Sequence, residues 1–525
     1  MELTSLLFLL FVLASCLVYY LVPRKAQWVI LLASSLVFYV SSCGVLIVYL
    51  IAASAIVFLG ALWLDRKARD FEARGKELDK AARKEAKKKH KKSQQFRAAA
   101  IAIAALSILA VLKYSALGLE LAGLAAGLFH RRLALTGFRF ALPLGISYYT
   151  LMAVSYVTDV YRGKIRAEKN PLRVLLFLSY YPHITEGPFD RYKELNEQFS
   201  SPHSFDYDAF CNGLILILYG YLKKMVIADR LGITVSEIFQ NSAQYSGSAI
   251  AVASVLYTIQ LYCDFSGCID IVSGVSSLYG IQLAENFRQP FFSKSIQEFW
   301  RRWHITLGTW LKEYVYYPVI LSGHFKKVDK FAKTHLKSQT LIDLVPAAYS
   351  LLFVWFSNGL WHGASVHFIL YGLYYYVLMM LGELMKPLAQ RLNEKRPFLS
   401  SRPYAVFQVL RTLLIVNTGM LLFRSASMAE FFSLLGRILR SFPDPAGAAA
   451  VFYVSKSIVF ALFAFLIVVI ISILKERQPS LSIRERIGRR PVFKYLLILA
   501  LICYILTFGI YGPGYDAADF LYAQF

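Results

Sequence analysis

Two histidines sit in apolar surroundings, where a titratable side chain is costly. His362 lies in SNGLWHG, residues 357–363, with apolar segments on both sides. An ionisable group at membrane depth marks function by default. Gly359 and Gly363, four residues apart, leave room for a helix or a substrate to come close. The residues alone allow two readings, a working base or a histidine hydrogen-bonded inside a helix bundle. His304, in EFWRRWHITL, is placed similarly but has a weaker claim; alone on an apolar face such a residue is more often a satisfied core histidine. Together the pair suggests chemistry. A neutral imidazole can take the proton of an alcohol as that alcohol attacks a thioester. A second imidazole can orient the first or donate a hydrogen bond to the developing oxyanion.

Other candidates are weaker. Asp264 and Asp270 lie in LYCDFSGCIDIVSG, six residues apart, so they do not share a helical face as a paired-carboxylate site would. Helix packing and a hydrogen bond to Ser266 account for Asp264 as simply. Asp159 and Glu186 also lie in apolar context. HSFDYD, from His203 to Asp208, has an H-x4-D spacing, but it follows Ser-Pro in a polar loop, where Asp206 or Asp208 serves as a helix N-cap. Cys263 and Cys268 have no basic neighbour in sequence to activate a thiolate. The six cysteines are scattered, with no C-x-x-C and no zinc-ligand spacing. A nucleophile elbow, a Walker A loop and an H-E-x-x-H helix are all missing from the sequence.

The elements that must hold these residues are membrane helices. Of 525 residues, 57% are hydrophobic and 17% charged, and the apolar stretches recur from end to end. Runs of roughly 18 or more apolar residues can cross a hydrocarbon core of about 30 Å. Such runs fall at about 2–22, 26–43, 44–64, 99–118, 141–160, 208–228, 247–263, 343–356, 366–385, 405–424, 457–474 and 492–511. The expectation is an all-α, polytopic integral membrane protein with one membrane-embedded domain over 1–525. Its parts are a basic loop at 65–97, a motif-bearing core at 140–385 and C-terminal spans at 400–525. The first apolar segment lacks the basic n-region of a signal peptide, and another span follows almost at once.

The net charge of +24 does not point to nucleic acid, because fourteen of the 57 Lys and Arg residues lie in one stretch, Arg66 to Arg97, between two spans. The positive-inside rule places that stretch in the cytoplasm and the N-terminus outside. It extends a helix or lies on anionic headgroups. Residues 180–200 and 284–325 are neither spans nor disordered loops, since both are rich in aromatics. Irregular backbone at a membrane is tolerated where it is buried or lines a cavity, so the site is expected there. Within the second tract, Ser293 to Leu311 reads as one amphipathic helix, with Trp300, Trp303, Leu307, Trp310 and Leu311 along one face and His304 sharing it. Ser295 and Glu298 form a capping-box pattern at its start.

Taken together, several tracts resemble the membrane-bound O-acyltransferases, above all the bacterial branch similar to alginate O-acetyltransferase. They are LPLGISYYTLMAVSYVTDVYRG (142–163), GYLKKMVIADRL (220–231), LYCDFSGCIDIVSG (261–274), NFRQPFFSKSIQEFWRRWHITLGTWLKEYVYY (286–317) and NGLWHGASVHFILY (358–371). The ending, YGPGYD followed by FLY, resembles that branch too. The resemblance implies a ring of roughly 10–13 tilted, broken and re-entrant helices around a central tunnel, a count that also fits the apolar runs. It places the family's catalytic His on His362 and its second His on His304. Trp303, Trp361 and Asn358 fall on neighbouring motif positions, and with Trp300 and Asp264 they complete the expected substrate-binding set. It implies no bound cofactor or metal. The co-substrate would be a cytoplasmic acyl thioester, acetyl-CoA or an acyl carrier protein. The acceptor would be a hydroxyl of a cell-surface or secreted polysaccharide, with an extracellular or periplasmic acyltransferase as partner. The expected location is the cytoplasmic membrane. After Tyr317 the sequence departs from the alginate-type pattern, reading PVILSGHFKK, and the YPHITEGP tract at 181–188 also differs. The acceptor therefore stays open. D-alanylation of teichoic acid, or a non-catalytic transporter or scaffold in a polysaccharide-synthesis complex, are the alternatives.

Overall fold

The structure, a computed structural model, describes residues 1–128, 140–478 and 491–511. Most of the ending motif lies outside the described residues. Apart from one isolated bridge between Phe287 and Trp303, the described residues are helices and connections with no strand. They cluster into two compact units. One comprises Met1–Gly213 with Val272–Ala284, the other Leu214–Ile271 with Glu285–Phe525.

The first unit begins with α1 (Leu6–Leu21), α2 (Gln27–Cys43), α3 (Ile47–Arg74) and α4 (Lys80–Leu128). Gly44, at φ 53°, makes the turn between α2 and α3 that a side chain would strain. The basic stretch extends α3 and α4 beyond their apolar parts, so it is helical on both arms of a hairpin. Asp79 Oδ1 accepts from Ala82 N–H at 2.8 Å, and Phe71 stacks on His90 at 4.1 Å. Next come α5 (Ile146–Tyr161), α6 (Pro171–Ser179), α7 (Tyr181–Ile184), α8 (Tyr192–Ser200) and α9 (Tyr207–Tyr221), which continues into the second unit. Asp206 Oδ1 caps α9 by accepting from the N–H groups of Asp208 and Ala209, at 2.8 and 3.0 Å. This is the capping role expected for that pair.

The second unit continues from α9 through a π-helical segment, Leu222–Ala228, to α10 (Asp229–Gln240) and α11 (Gly247–Leu278), whose end from Val272 onward belongs to the first unit. Then follow α12 (Ile296–Arg302), α13 (Ile305–Leu311), α14 (Tyr317–Ile320), α15 (Gly323–His335), α16 (Gln339–His362), α17 (Val366–Lys395), α18 (Arg402–Arg424), α19 (Met428–Arg440), α20 (Pro445–Val454), α21 (Ile458–Arg477) and α22 (Pro491–Phe508).

Eight stretches among the described residues are long and apolar enough to cross a membrane, so the chain is a multi-pass membrane protein. The twelve expected runs map onto them with three differences. Two runs join across Gly44 into one stretch of 51 residues, Arg24–Arg74. The runs near each end form the shorter helices Leu6–Leu21 and Tyr495–Phe508. The run at 141–160 becomes α5, a helix of 16 residues. At 1.5 Å per residue it is shorter than a hydrocarbon core of about 30 Å. Fourteen of its residues are buried, so it is a core helix of the first unit.

Candidate active site

The expected amphipathic helix over 293–311 is not continuous. It breaks at His304, whose backbone is left-handed at φ 50° and ψ 51°, and two helices of seven residues flank the break. That conformation costs a non-glycine residue about 1–2 kcal/mol, and it persists because residues 286–288 hold it. Ile305 N–H donates to Asn286 O at 3.0 Å, Arg288 N–H donates to Arg302 O at 2.9 Å, and Phe287 pairs with Trp303. Ser295 Oγ caps α12 by accepting from Glu298 N–H at 3.1 Å, as its capping pattern predicts. The Glu298 carboxylate reaches one residue further back, to Lys294 N–H at 2.9 Å.

Asn286 also fixes the state of the His304 ring. Its Oδ1 lies 3.2 Å from Thr306 N, 2.8 Å from Thr306 Oγ1 and 3.1 Å from His304 Nδ1. A backbone N–H can only donate, so the carboxamide atom facing it must be the oxygen. His304 Nδ1 must then carry a hydrogen to bond the same oxygen. In the neutral ring the lone pair is left on Nε2. Burial first, and His362 second, hold this imidazole well below its ordinary pKa, which keeps it neutral. His304 lies outside the eight spans.

The two histidines share a neighbour. The Trp361 indole lies 5.3 Å from the His304 ring and 4.9 Å from the His362 ring, centroid to centroid. His362 is the last residue of α16 and is 1% exposed. Tyr371 of α17 and Phe423 of α18 meet its ring edge-to-face at 5.5 and 5.3 Å. Phe265 of α11 meets His304 in the same way at 4.8 Å. Gly359 makes the α16–α17 contact possible, because a Cβ there would collide with the Phe368 carbonyl oxygen. The close approach expected at Gly359 and Gly363 is therefore that of Phe368 in α17.

A cavity of about 70 Å³ brings together four of the expected residues, Trp300, Trp303, His304 and Asn358. Trp300 packs edge-to-face on Trp355 and Tyr375 at 5.2 and 4.9 Å. Trp303 is 1% exposed and stacks on Phe299 at 5.4 Å. Trp361 and His362 do not line the cavity, although Asn358 stands one helical turn before His362 on α16.

Asp264 is placed differently from the others. It pairs with Lys224 at 2.7 Å, and Lys224 also meets Asp229 at 2.9 Å, all three side chains being nearly fully buried. The neighbouring Lys223 pairs with Asp270 and donates to Ser266 O at 2.9 Å. The hydrogen-bond partner expected for Asp264 was Ser266, whereas the structure gives it a lysine from the π-helical segment. Sequence reasoning did not find that lysine partner or the part played by Asn286. Both lie inside matched tracts, yet nothing in their local spacing distinguishes them, because their partners lie 18 and 40 residues away.

Residues 137–336 match the model of MBOAT, the membrane-bound O-acyltransferase family. His304 lies inside the matched segment and His362 beyond its end. A probable alginate O-acetylase of Pseudomonas syringae is 35% identical over 291 residues, 55% of this chain and 50% of that protein. A peptidoglycan O-acetyltransferase of Helicobacter pylori is 28% identical over 320 residues, covering 56% of each chain. A teichoic acid D-alanyltransferase of Bacillus subtilis is 32% identical over 247 residues, 45% of this chain and 58% of that protein. The chain thus spans about half the length of the curated relatives it matches. Residues 137–336 of this multi-pass membrane protein are thus similar to the membrane-bound O-acyltransferase family.

Proposed function

We propose that this protein is an O-acyltransferase that passes an acetyl group from a cytoplasmic thioester to a hydroxyl of a cell-surface or secreted polysaccharide. The observation that carries the reading is the contact of one indole, Trp361, with two buried imidazoles beside a small cavity, in a chain whose residues 137–336 are similar to that family. His362 is the general base. The acceptor hydroxyl oxygen forms a bond to the thioester carbonyl carbon, and the C–S bond breaks. The hydroxyl proton moves to His362 and on to the departing thiolate, so an ester and a thiol leave. This direct transfer needs no nucleophilic side chain. His304, with its hydrogen on Nδ1, presents Nε2 as an acceptor, so in its neutral form it orients a hydroxyl that donates to it rather than stabilising an oxyanion.

The donor is acetyl-CoA or an acyl carrier protein, and no resident cofactor takes part. The chain sits in the cytoplasmic membrane, N-terminus outside, with the α3–α4 hairpin in the cytoplasm. A partner acyltransferase on the outer side can complete the transfer to polymer. Similarity to a teichoic acid D-alanyltransferase favours D-alanine as a second acyl group. The test is the acid that mild alkali releases from the surface polymer of cells with and without the gene. Acetate present only with the gene supports the reading, and D-alanine supports the second. Identical release from both would leave a transporter or scaffold.

A further inference from the structure

We propose that the cavity beside His304 holds the acyl group itself and limits it to acetyl, an inference that rests on the proposed O-acyl transfer. Its volume is about 70 Å³. An apolar protein cavity of about 150 Å³ admits benzene, with six heavy atoms. By that scale this cavity takes about three, the number in an acetyl group. Propionyl adds a fourth, and D-alanyl has five and carries an ammonium.

The lining matches an uncharged guest. Leu307, Leu311, Val354 and Trp355 supply apolar walls, and no lining residue is acidic. A buried ammonium with no counter-charge is strongly disfavoured. The cavity also has two polar atoms to offer. The Trp300 indole N–H and Asn358 Oδ1 are buried, and neither has a hydrogen-bond partner among the described residues. Buried polar groups are normally satisfied, so the indole N–H, a donor, calls for a guest that accepts, as an acyl carbonyl does, while Asn358 Oδ1 can only accept and is not met by the acyl group. The indole N–H can donate to the thioester carbonyl oxygen, whose negative charge grows as the carbon turns tetrahedral. Asn358 stands one turn before His362 on the same helix, so one element supplies both a cavity wall and the base. During transfer the carbonyl carbon gains the C–O bond and loses the C–S bond, with the proton passing from hydroxyl to imidazole to thiolate, while the methyl stays between the apolar walls.

Gly308 offers a way to fill the space. A Cβ there would meet only Trp300 O, at 3.8 Å, which is ordinary contact. Gly308→Val therefore narrows the cavity with little direct overlap, and Val354→Ala or Leu311→Ala widens it. One methylene in an apolar pocket changes selectivity by about 10- to 200-fold.

The experiment uses cells carrying the wild type or each variant, fed propionate or butyrate. Alkali-released acids from the surface polymer are resolved by chromatography, and the membrane level of each variant is checked. The proposal expects acetate almost alone from the wild type. It expects a propionate-to-acetate ratio raised about 10-fold or more by Val354→Ala or Leu311→Ala. It expects acetate cut at least about 10-fold by Gly308→Val. Unchanged acid ratios in the widened variants, together with normal acetate from Gly308→Val, all at normal protein level, would overturn it. If the wild type releases no more of any acid than the empty locus, the transfer reading itself falls, and that result is separate from a failure of size selection.

Discussion

At the scale of single residues, the site is organised by hydrogen-bond direction as much as by which residues are present. Asn286 accepts at Oδ1 from three groups, and a backbone N–H among them settles the tautomer of His304. Asn286→Ala removes that acceptor and frees the ring to turn. The expected loss in acyl transfer is about 10- to 100-fold, the range carried by groups that orient a working imidazole at metal sites. Asn286→Asp still accepts from all three donors and should retain more activity than Asn286→Ala. Comparing transfer rates for the two variants at matched membrane level checks this, and equal losses would contradict it. Trp300, Trp303, His304, Trp361, Asn358 and His362 were all legible in the sequence, because aromatic and histidine residues cluster in two short motifs. Asn286 was not, since an asparagine in a loop has no spacing that announces its partner. Asp264 was legible as unusual but not as half of an ion pair.

At the scale of elements, helix breaks place the chemistry. Periodicity alone made 293–311 one helix. The left-handed His304 came from tertiary hydrogen bonds to residues 286–288, which no local pattern encodes. The π-helical segment at 222–228 is the second such departure; Lys223 and Lys224, successive residues within it, reach Asp270 and Asp264 of α11. π-segments often sit at functional sites; here the two lysines pair with carboxylates of the neighbouring helix. Removing one partner of a buried pair is costly because it strands the other charge. Lys224→Met leaves Asp264 and Asp229 buried without their shared cation and is expected to destabilise the protein by about 3–5 kcal/mol. A thermal-unfolding comparison of wild type and variant in detergent reads this directly. A Lys224→Met protein as stable as wild type would contradict the ion-pair account.

At the scale of the whole molecule, hydropathy gave the membrane class and nearly every span. Where the expected runs and the long apolar helices differ, at α1, α5 and Tyr495–Phe508, the helices are shorter than 18 residues, and α5 is mostly buried against its neighbours. Orientation is a separate matter, argued from charge. The α3–α4 hairpin carries the densest run of lysines and arginines, and the positive-inside rule assigns it to the cytoplasm. A single cysteine at Lys84 in an otherwise cysteine-free chain should react with an impermeant maleimide in inverted vesicles and not in intact cells. Labelling in intact cells would reverse the topology and place the donor on the other side. The central claim is that His362 is the base for acyl transfer to a surface polymer. The most direct measurement is the alkali-released acyl content of that polymer from cells carrying wild type, His362→Ala or an empty locus, with membrane protein levels matched. The account predicts that His362→Ala matches the empty locus. Acylation persisting at the wild-type level with His362→Ala would contradict it.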